Sequence, residues 1–236
     1  YLYQKSLHPS TIAATREDLA MAQAVARQAL YLAMQSARRD FPQNIASIKP
    51  NLTPLFEPII AGGGALSDAS RPGHGLLLLL DSIQPVGVTT VIIDQNNLLP
   101  LLGAAASQNN ILPVQVLESG ALLSVGTVVS PVVSASYGTP ILKAKLTYQN
   151  GAEARVDLKY GSIETLPLSN GETATLSIQG LRGADVGFGP GRSGNIPVSG
   201  GALGVVFDGR GRPLELPSDA VRRRELIKKW NWTLGG

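Results

Sequence analysis

A chain of 236 residues, 44% of them hydrophobic and 16% charged, has apolar material for one large domain or two of about 100 to 130 residues, and stands far from the compositions that stay disordered. Cysteine is absent, which excludes disulfides, thiolate nucleophiles and cysteine-ligated metals and fits a cytoplasmic location. The two histidines, His8 and His74, are far apart and lack a HExxH spacing, so a metal site or a histidine-based triad is not expected. The formal charge of +3 is uneven: residues 209–229 carry Arg210, Arg212, Arg222, Arg223, Arg224, Lys228 and Lys229 against Glu215, Asp219 and Glu225. Charge runs on amphipathic helices are usually solvated faces, and that is the expectation here; nucleic acid is disfavoured for want of an aromatic platform beyond Trp230 and Trp232, which stand where a helix needs core residues. The longest apolar run, residues 76–80, is far shorter than the roughly 20 residues of a membrane span. The chain opens at Tyr1 without a basic segment leading into an apolar one; no signal peptide is read, and the start reads as a fragment boundary.

Residues 15–39 lack Gly and Pro and are rich in Ala, Leu, Met, Gln and Arg, which predicts a long helix, with Thr15 and Asp18 at its start. Leu19, Ala22, Ala26, Ala29, Leu30 and Ala33 give it a narrow packing face. Four prolines, Pro42, Pro50, Pro54 and Pro58, make residues 41–58 a connector. Ile59, Ile60 and Ala61 then predict a buried strand that stops at Gly62, Gly63 and Gly64, ahead of the polar cluster 67–70. A short buried helix over 76–82, a strand ending at Asp94 and a helix over 98–107 follow, an alternation that argues for an α/β layer.

Beyond Pro113 the texture changes to short β-branched or alternating runs, at 114–117, 122–129, 141–149, 153–160, 173–179 and 203–207, separated by Gly, Pro and Asn. This predicts a β-sandwich or barrel-like domain. One hairpin can be taken to its register. A two-residue Asn150-Gly151 turn would oppose Leu146 to Arg155 and mix the faces; a three-residue loop of Gln149, Asn150 and Gly151 pairs Leu146 with Ala154 and Ala144 with Val156. The longer loop is predicted. Residues 218–234 predict a capped helix docked through Ile227, Trp230 and Leu234.

A strand that runs through three glycines into a helix lets a planar base or a phosphate touch bare backbone and meet helix N–H groups, although a tight strand-to-helix turn explains the same pattern. Gly187, Gly189, Gly191 and Gly194, with Arg192 and Ser193, allow a backbone anion nest, but no Gly-Lys-Ser/Thr follows; a turn or partner-binding loop is the favoured account. Arg71 and His74 read as a solvated loop, with Arg71 placed to approach an anion. No pair of carboxylates stands at catalytic spacing, since Glu153 and Asp157 share the polar face of one strand.

The segment 59–66, the following helix, the strand to Asp94 and the 98–106 helix resemble the adenosine motif of the superfamily that contains actin, sugar kinases and heat-shock chaperones. More specifically, Gly63-Gly64-Ala65-Leu66-Ser67, residues 78–87 (LLLDSIQPVG) and residues 98–104 (LLPLLGA) resemble the MutL family associated with glutamate mutase, unrelated to the mismatch-repair protein of similar name. Later blocks continue the likeness: residues 156–162, 185–191, 200–204, 209–214 and 222–230.

The resemblance implies an incomplete actin-like (ribonuclease H-like) half-domain over 1–112, followed by the β-rich domain with its closing helix over 113–236. It implies an accessory or reactivation chaperone for an adenosylcobalamin-dependent mutase, using ATP and Mg in the full-length protein. The superfamily's phosphate loops and catalytic carboxylates have no matching segment here, so this chain is expected neither to hydrolyse ATP nor to hold it tightly. Its implied partners are a mutase subunit and the missing N-terminal half of the same protein. No catalytic residue is assigned; base and ribose contact falls to the backbone of Gly62, Gly63 and Gly64, with Ala65 and Leu66 opening the helix and the Ser67 hydroxyl beside them. Two other classes remain open: a non-catalytic interaction module, and a complete small enzyme, which the lack of Cys, paired His or clustered acids disfavours.

Overall fold

The computed structural model describes residues 1–42, 44–67, 69 and 71–235; Asp68 and Ser70 of the expected polar cluster, the Ser67 side chain and Gly236 lie outside the described residues. The elements, in order, are α1 (Leu2–Leu7), α2 (Arg16–Ala37), β1 (Ile59–Gly62), α3 (Gly64–Ser67), α4 (Pro72–Ser82), β2 (Gly87–Asp94), α5 (Leu98–Ala106), α6 (Ile111–Glu118), β3 (Leu123–Ser130), β4 (Pro140–Tyr148), β5 (Glu153–Lys159), β6 (Ile163–Leu166), β7 (Thr173–Gly180), β8 (Ser193–Ser199), β9 (Val205–Asp208) and α7 (Ala220–Thr233).

The fold is mixed α/β, in three layers. One sheet has the order β1-β2-β3-β9-β6 and the other β5-β4-β7-β8, and neither closes into a barrel. The expected β-sandwich or barrel-like unit is therefore one open four-stranded sheet laid against the mixed five-stranded one. The five-stranded sheet draws strands from both sides of position 113: β3, β6 and β9 continue what β1 and β2 begin. Alternation along β9 explains the layering, because Val205 and Phe207 enter the core between the sheets while Val206 enters the core under the helices.

Between the sheets lie Leu142, Leu146, Leu158, Leu176 and Phe207, all wholly buried. Thr127 stitches the layers, its hydroxyl donating to the Ser199 carbonyl (2.9 Å) and accepting from the Ser199 amide (3.2 Å). On the other face of the five-stranded sheet, α4 buries all five leucines 76–80, joined by Trp230 and Leu234 of the C-terminal segment. A helix apolar on every side must be enclosed, and α4 is.

The long helix α2 starts at a capping box: the Asp18 amide donates to Thr15 Oγ1 (3.0 Å) and the Thr15 amide to Asp18 Oδ2 (3.2 Å). Its packing face holds Leu19, Ala22, Ala26 and Leu30, all half-buried, but Ala29 and Ala33 are exposed. On the same helix, Arg27 is half-buried and pairs with Asp81 Oδ2 (2.7 Å). The connector packs Leu52 against Val86 and Val132. The hairpin takes the predicted register, Leu146 opposite Ala154 and Ala144 opposite Val156, with Gly151 at φ 82°.

Residues 114–117 belong to helix α6 rather than a strand, since Pro113 falls in the first turn, where its missing N–H is harmless. The strand β1 is an edge strand with only Ala61 buried and Ile60 48% exposed. Trp232 is 80% exposed rather than core. Strands β6 and β8 were not predicted; in β8 the alternation of Gly194, Ile196 and Val198 was masked by glycine and by Pro197, which an edge strand tolerates. Among the described residues no helix is long and apolar enough to cross a membrane.

Candidate functional site

Strands β1 and β2 run parallel, with Gly62 the register partner of Asp94, so their carboxyl ends open side by side. Crevices outside the carboxyl ends of parallel strands are where open α/β sheets take ligands. Leaving β1, the chain turns at Gly63 with φ 107°, a conformation that favours glycine. The Gly63 amide donates to Asn97 Oδ1 (3.0 Å), and Asn97 itself has φ 51°. Two left-handed residues thus hold the two turns together.

Asp94 is buried at 1% exposure and caps α5, Oδ1 accepting from the Leu98 amide (2.9 Å) and Oδ2 from the Leu99 amide (2.8 Å). Burial opposes its ionised form, but the amides of Leu99, Leu98 and Asn96 outweigh it and hold the carboxyl below its usual range. Both oxygens are committed to a helix start, so Asp94 shapes the turn and is not free as a base.

The expected contact residues divide. Gly62, Gly63, Gly64 and Ala65 are exposed, whereas the Leu66 side chain is turned into the core at 5% exposure, its amide bonded to the Gly63 carbonyl (2.9 Å). The turn therefore offers backbone with no side chain beyond Cβ, a surface suited to a flat ring. Among the described residues, 62–65 carry no acid or base of their own. Behind it, α4 passes so close that a Cβ on Gly75 would stand 3.1 Å from Ile93 Cδ1. Arg71 is exposed and donates to the Gly235 carbonyl, and burial followed by the nearby Arg71 charge lowers the His74 pKa.

At Gly187 and Gly189 the amides do converge on an anion, but it is the chain's own: Asp185 Oδ1 accepts from Gly187 (2.7 Å) and Gly189 (3.0 Å). The loop is a self-satisfied turn leading into β8, as favoured.

The main polar constellation draws on the charge run and is not legible in the sequence as a buried cluster. The charge run at 209–229 is only partly a solvated face, because Arg210 and Arg212 are buried at 0% and 4% exposure. Arg210 donates through Nε to Asp208 Oδ1 (2.8 Å) and through Nη1 to Asp81 Oδ1 (2.6 Å). Arg212 donates to Asp208 Oδ2 (2.7 Å) and to the Pro85 carbonyl (2.9 Å), while Arg27 pairs with Asp81 Oδ2 (2.7 Å). Burial by itself would raise the Asp208 pKa; the two guanidiniums overcome it and hold the carboxyl well below the usual range. The signal available was arginine alternating with glycine directly after a strand ending in Asp208. The cluster sits at the Asp81 end of α4, the glycine turn beyond its other end, so one buried helix spans the two. Among the described residues, no three His, Cys, Asp or Glu side chains group to hold a metal.

Compared with known proteins, residues 1–120 match the family described as MutL protein. No curated protein and no solved structure matches. The matched segment contains the glycine turn, Asp94, α5 and α6, and stops before the later blocks of likeness.

Proposed function

The chain belongs to the MutL family, and from that premise we propose that it is part of a nucleotide-dependent accessory protein, a reactivation chaperone, for an adenosylcobalamin-dependent aminomutase such as glutamate mutase. In this reading β1, β2 and the helices around them are half of an actin-like nucleotide-binding domain. The backbone of Gly62, Gly63 and Gly64, with Ala65 and Leu66 following, takes the base and ribose of ATP. The Ser67 hydroxyl belongs to the same proposal. Phosphate and Mg contacts come from a second lobe, the N-terminal half of the same protein.

The observation that carries the reading is the exposed glycine backbone at the paired carboxyl ends of two parallel strands. A second feature supports it. Helix α6 has no buried residue and α5 has only Leu102, yet Leu101, Ile111 and Val114 are 67%, 61% and 51% exposed and residues 95–117 carry no charge. Helices apolar all round belong inside a larger body, and with Ile60 on the free edge of β1 they offer a second lobe a surface to cover.

Calorimetric titration with Mg-ATP tests this, on the chain alone and joined to the N-terminal lobe. Binding is expected only when both are present. Tight binding by the chain alone would overturn the split cleft, and mutase binding without any nucleotide response would favour an interaction module.

A further inference from the structure

Helix α7 has two faces of opposite character. Inward, Trp230 and Leu234 are each 2% exposed, with Leu226 and Ile227 packed beside them. The helix is firmly seated: Asp219 accepts from the Arg222 amide (2.7 Å), and Trp230 Nε1 donates to the Gly161 carbonyl (2.9 Å). At 100° per residue, Trp232 falls on the side away from Trp230, and it is 80% exposed. Val221, 64% exposed, and Lys228 share that side, flanked by Arg224 and Lys229.

We propose that this outward face docks a protein partner whose surface is acidic around an apolar socket, with the Trp232 indole as anchor. The spacing fits: Val221, Arg224, Lys228 and Trp232 make one stripe at three- and four-residue steps, the pattern by which a helix lies in a groove. The charge fits as well. Arg223 is used by the carbonyls of Pro217 and Ser218, and Arg222 lies 5.0 Å from the Tyr137 ring centre. Arg224, Lys228 and Lys229 are exposed and answered by no carboxylate among the described residues. Tryptophan and arginine are enriched at interface centres, the two lysines suit the polar rim that steers an acidic partner, and a solvated face gains nothing from a bare indole.

The same face argues against other polyanions. Glu225 stands inside the stripe, where a run of phosphates would be repelled but a protein can supply a cation. Val221 and Trp232 are too little apolar surface to seat a helix in a bilayer. The inference does not depend on where nucleotide binds.

The test uses the whole chain and a synthetic helical peptide with leucine on one face and glutamate on the rest. Saturable binding is expected, weakened by salt, with a blue shift of tryptophan emission. Trp232→Ala and Lys228→Glu are each expected to weaken binding by about tenfold or more, with thermal midpoints unchanged because neither side chain packs on the body. The proposal is overturned by no saturable binding, by Trp232→Ala binding as tightly as the parent chain, or by tighter binding to phosphatidylserine vesicles or duplex DNA than to the peptide.

Discussion

The wholly buried guanidinium of Arg210 lies 4.8 Å from the ring centre of Trp230. One cation is thereby shared among the end of β9, through Asp208, the end of α4, through Asp81, and α7, through the indole. The C-terminal helix is coupled to an interior strand of the sheet by charge as well as by apolar contact.

Removing one partner of a buried ion pair leaves a charge uncompensated and typically costs about 3–5 kcal/mol. Asp208→Ala leaves the buried Arg212 without a carboxylate and Arg210 with Asp81 alone, and is expected to lower the unfolding free energy by about that amount, read from urea denaturation. Lys145→Ala, which breaks the surface pair with Glu153, should change it by less than about 1 kcal/mol.

The pH dependence follows from the same carboxylate. The folded pKa of Asp208 is depressed, so its contribution is fully present above the unfolded value of about 3.9 and is lost as pH falls from there toward the folded value. Urea midpoints should therefore be flat from pH 6 to about pH 5 and fall on further acidification toward about pH 2. Asp208→Asn should flatten that fall; an unchanged slope would show that other carboxylates govern it.

Two glycine-to-alanine changes should move stability in opposite directions. A Cβ on Gly73 would stand 1.9 Å from the Leu234 carbonyl oxygen, and Gly73→Ala must push α7 off α4. On the helical Gly103 a Cβ meets nothing within 4 Å, so Gly103→Ala should add about 0.5–1 kcal/mol by limiting the unfolded chain. Thermal denaturation of the two variants checks both signs.

Thr127→Val removes the hydroxyl that serves both the amide and the carbonyl of Ser199. Ser199 is itself exposed and water can reach its freed groups, so the cost should fall near the low end of the range for an unsatisfied group, about 1 kcal/mol. The loss should appear as faster hydrogen exchange at the Ser199 amide, accompanied by a lower urea midpoint.

Thr15→Ala should cost about 0.5–2 kcal/mol of helix stability. Because α2 buries no residue completely, the effect is expected as local fraying: faster amide exchange over residues 16–20 with little change in global unfolding.

What the sequence by itself determined was local. Alternation and one glycine set the register of the β4–β5 hairpin; Thr15 and Asp18 set the start of α2; the strand into Gly62 and Gly63 was readable because a left-handed turn wants glycine there. Each depends on residues close along the chain, whose spacing is printed in the sequence. Tertiary structure decided the rest. Which sheet β3 and β9 join, whether residues 114–117 are strand or helix, and which of two neighbouring tryptophans is buried depend on partners far away in the chain. The clearest case is Arg210: its side chain is a solvated cation by composition and a buried one in fact, because Asp81, 129 residues distant, and Asp208 offset its desolvation.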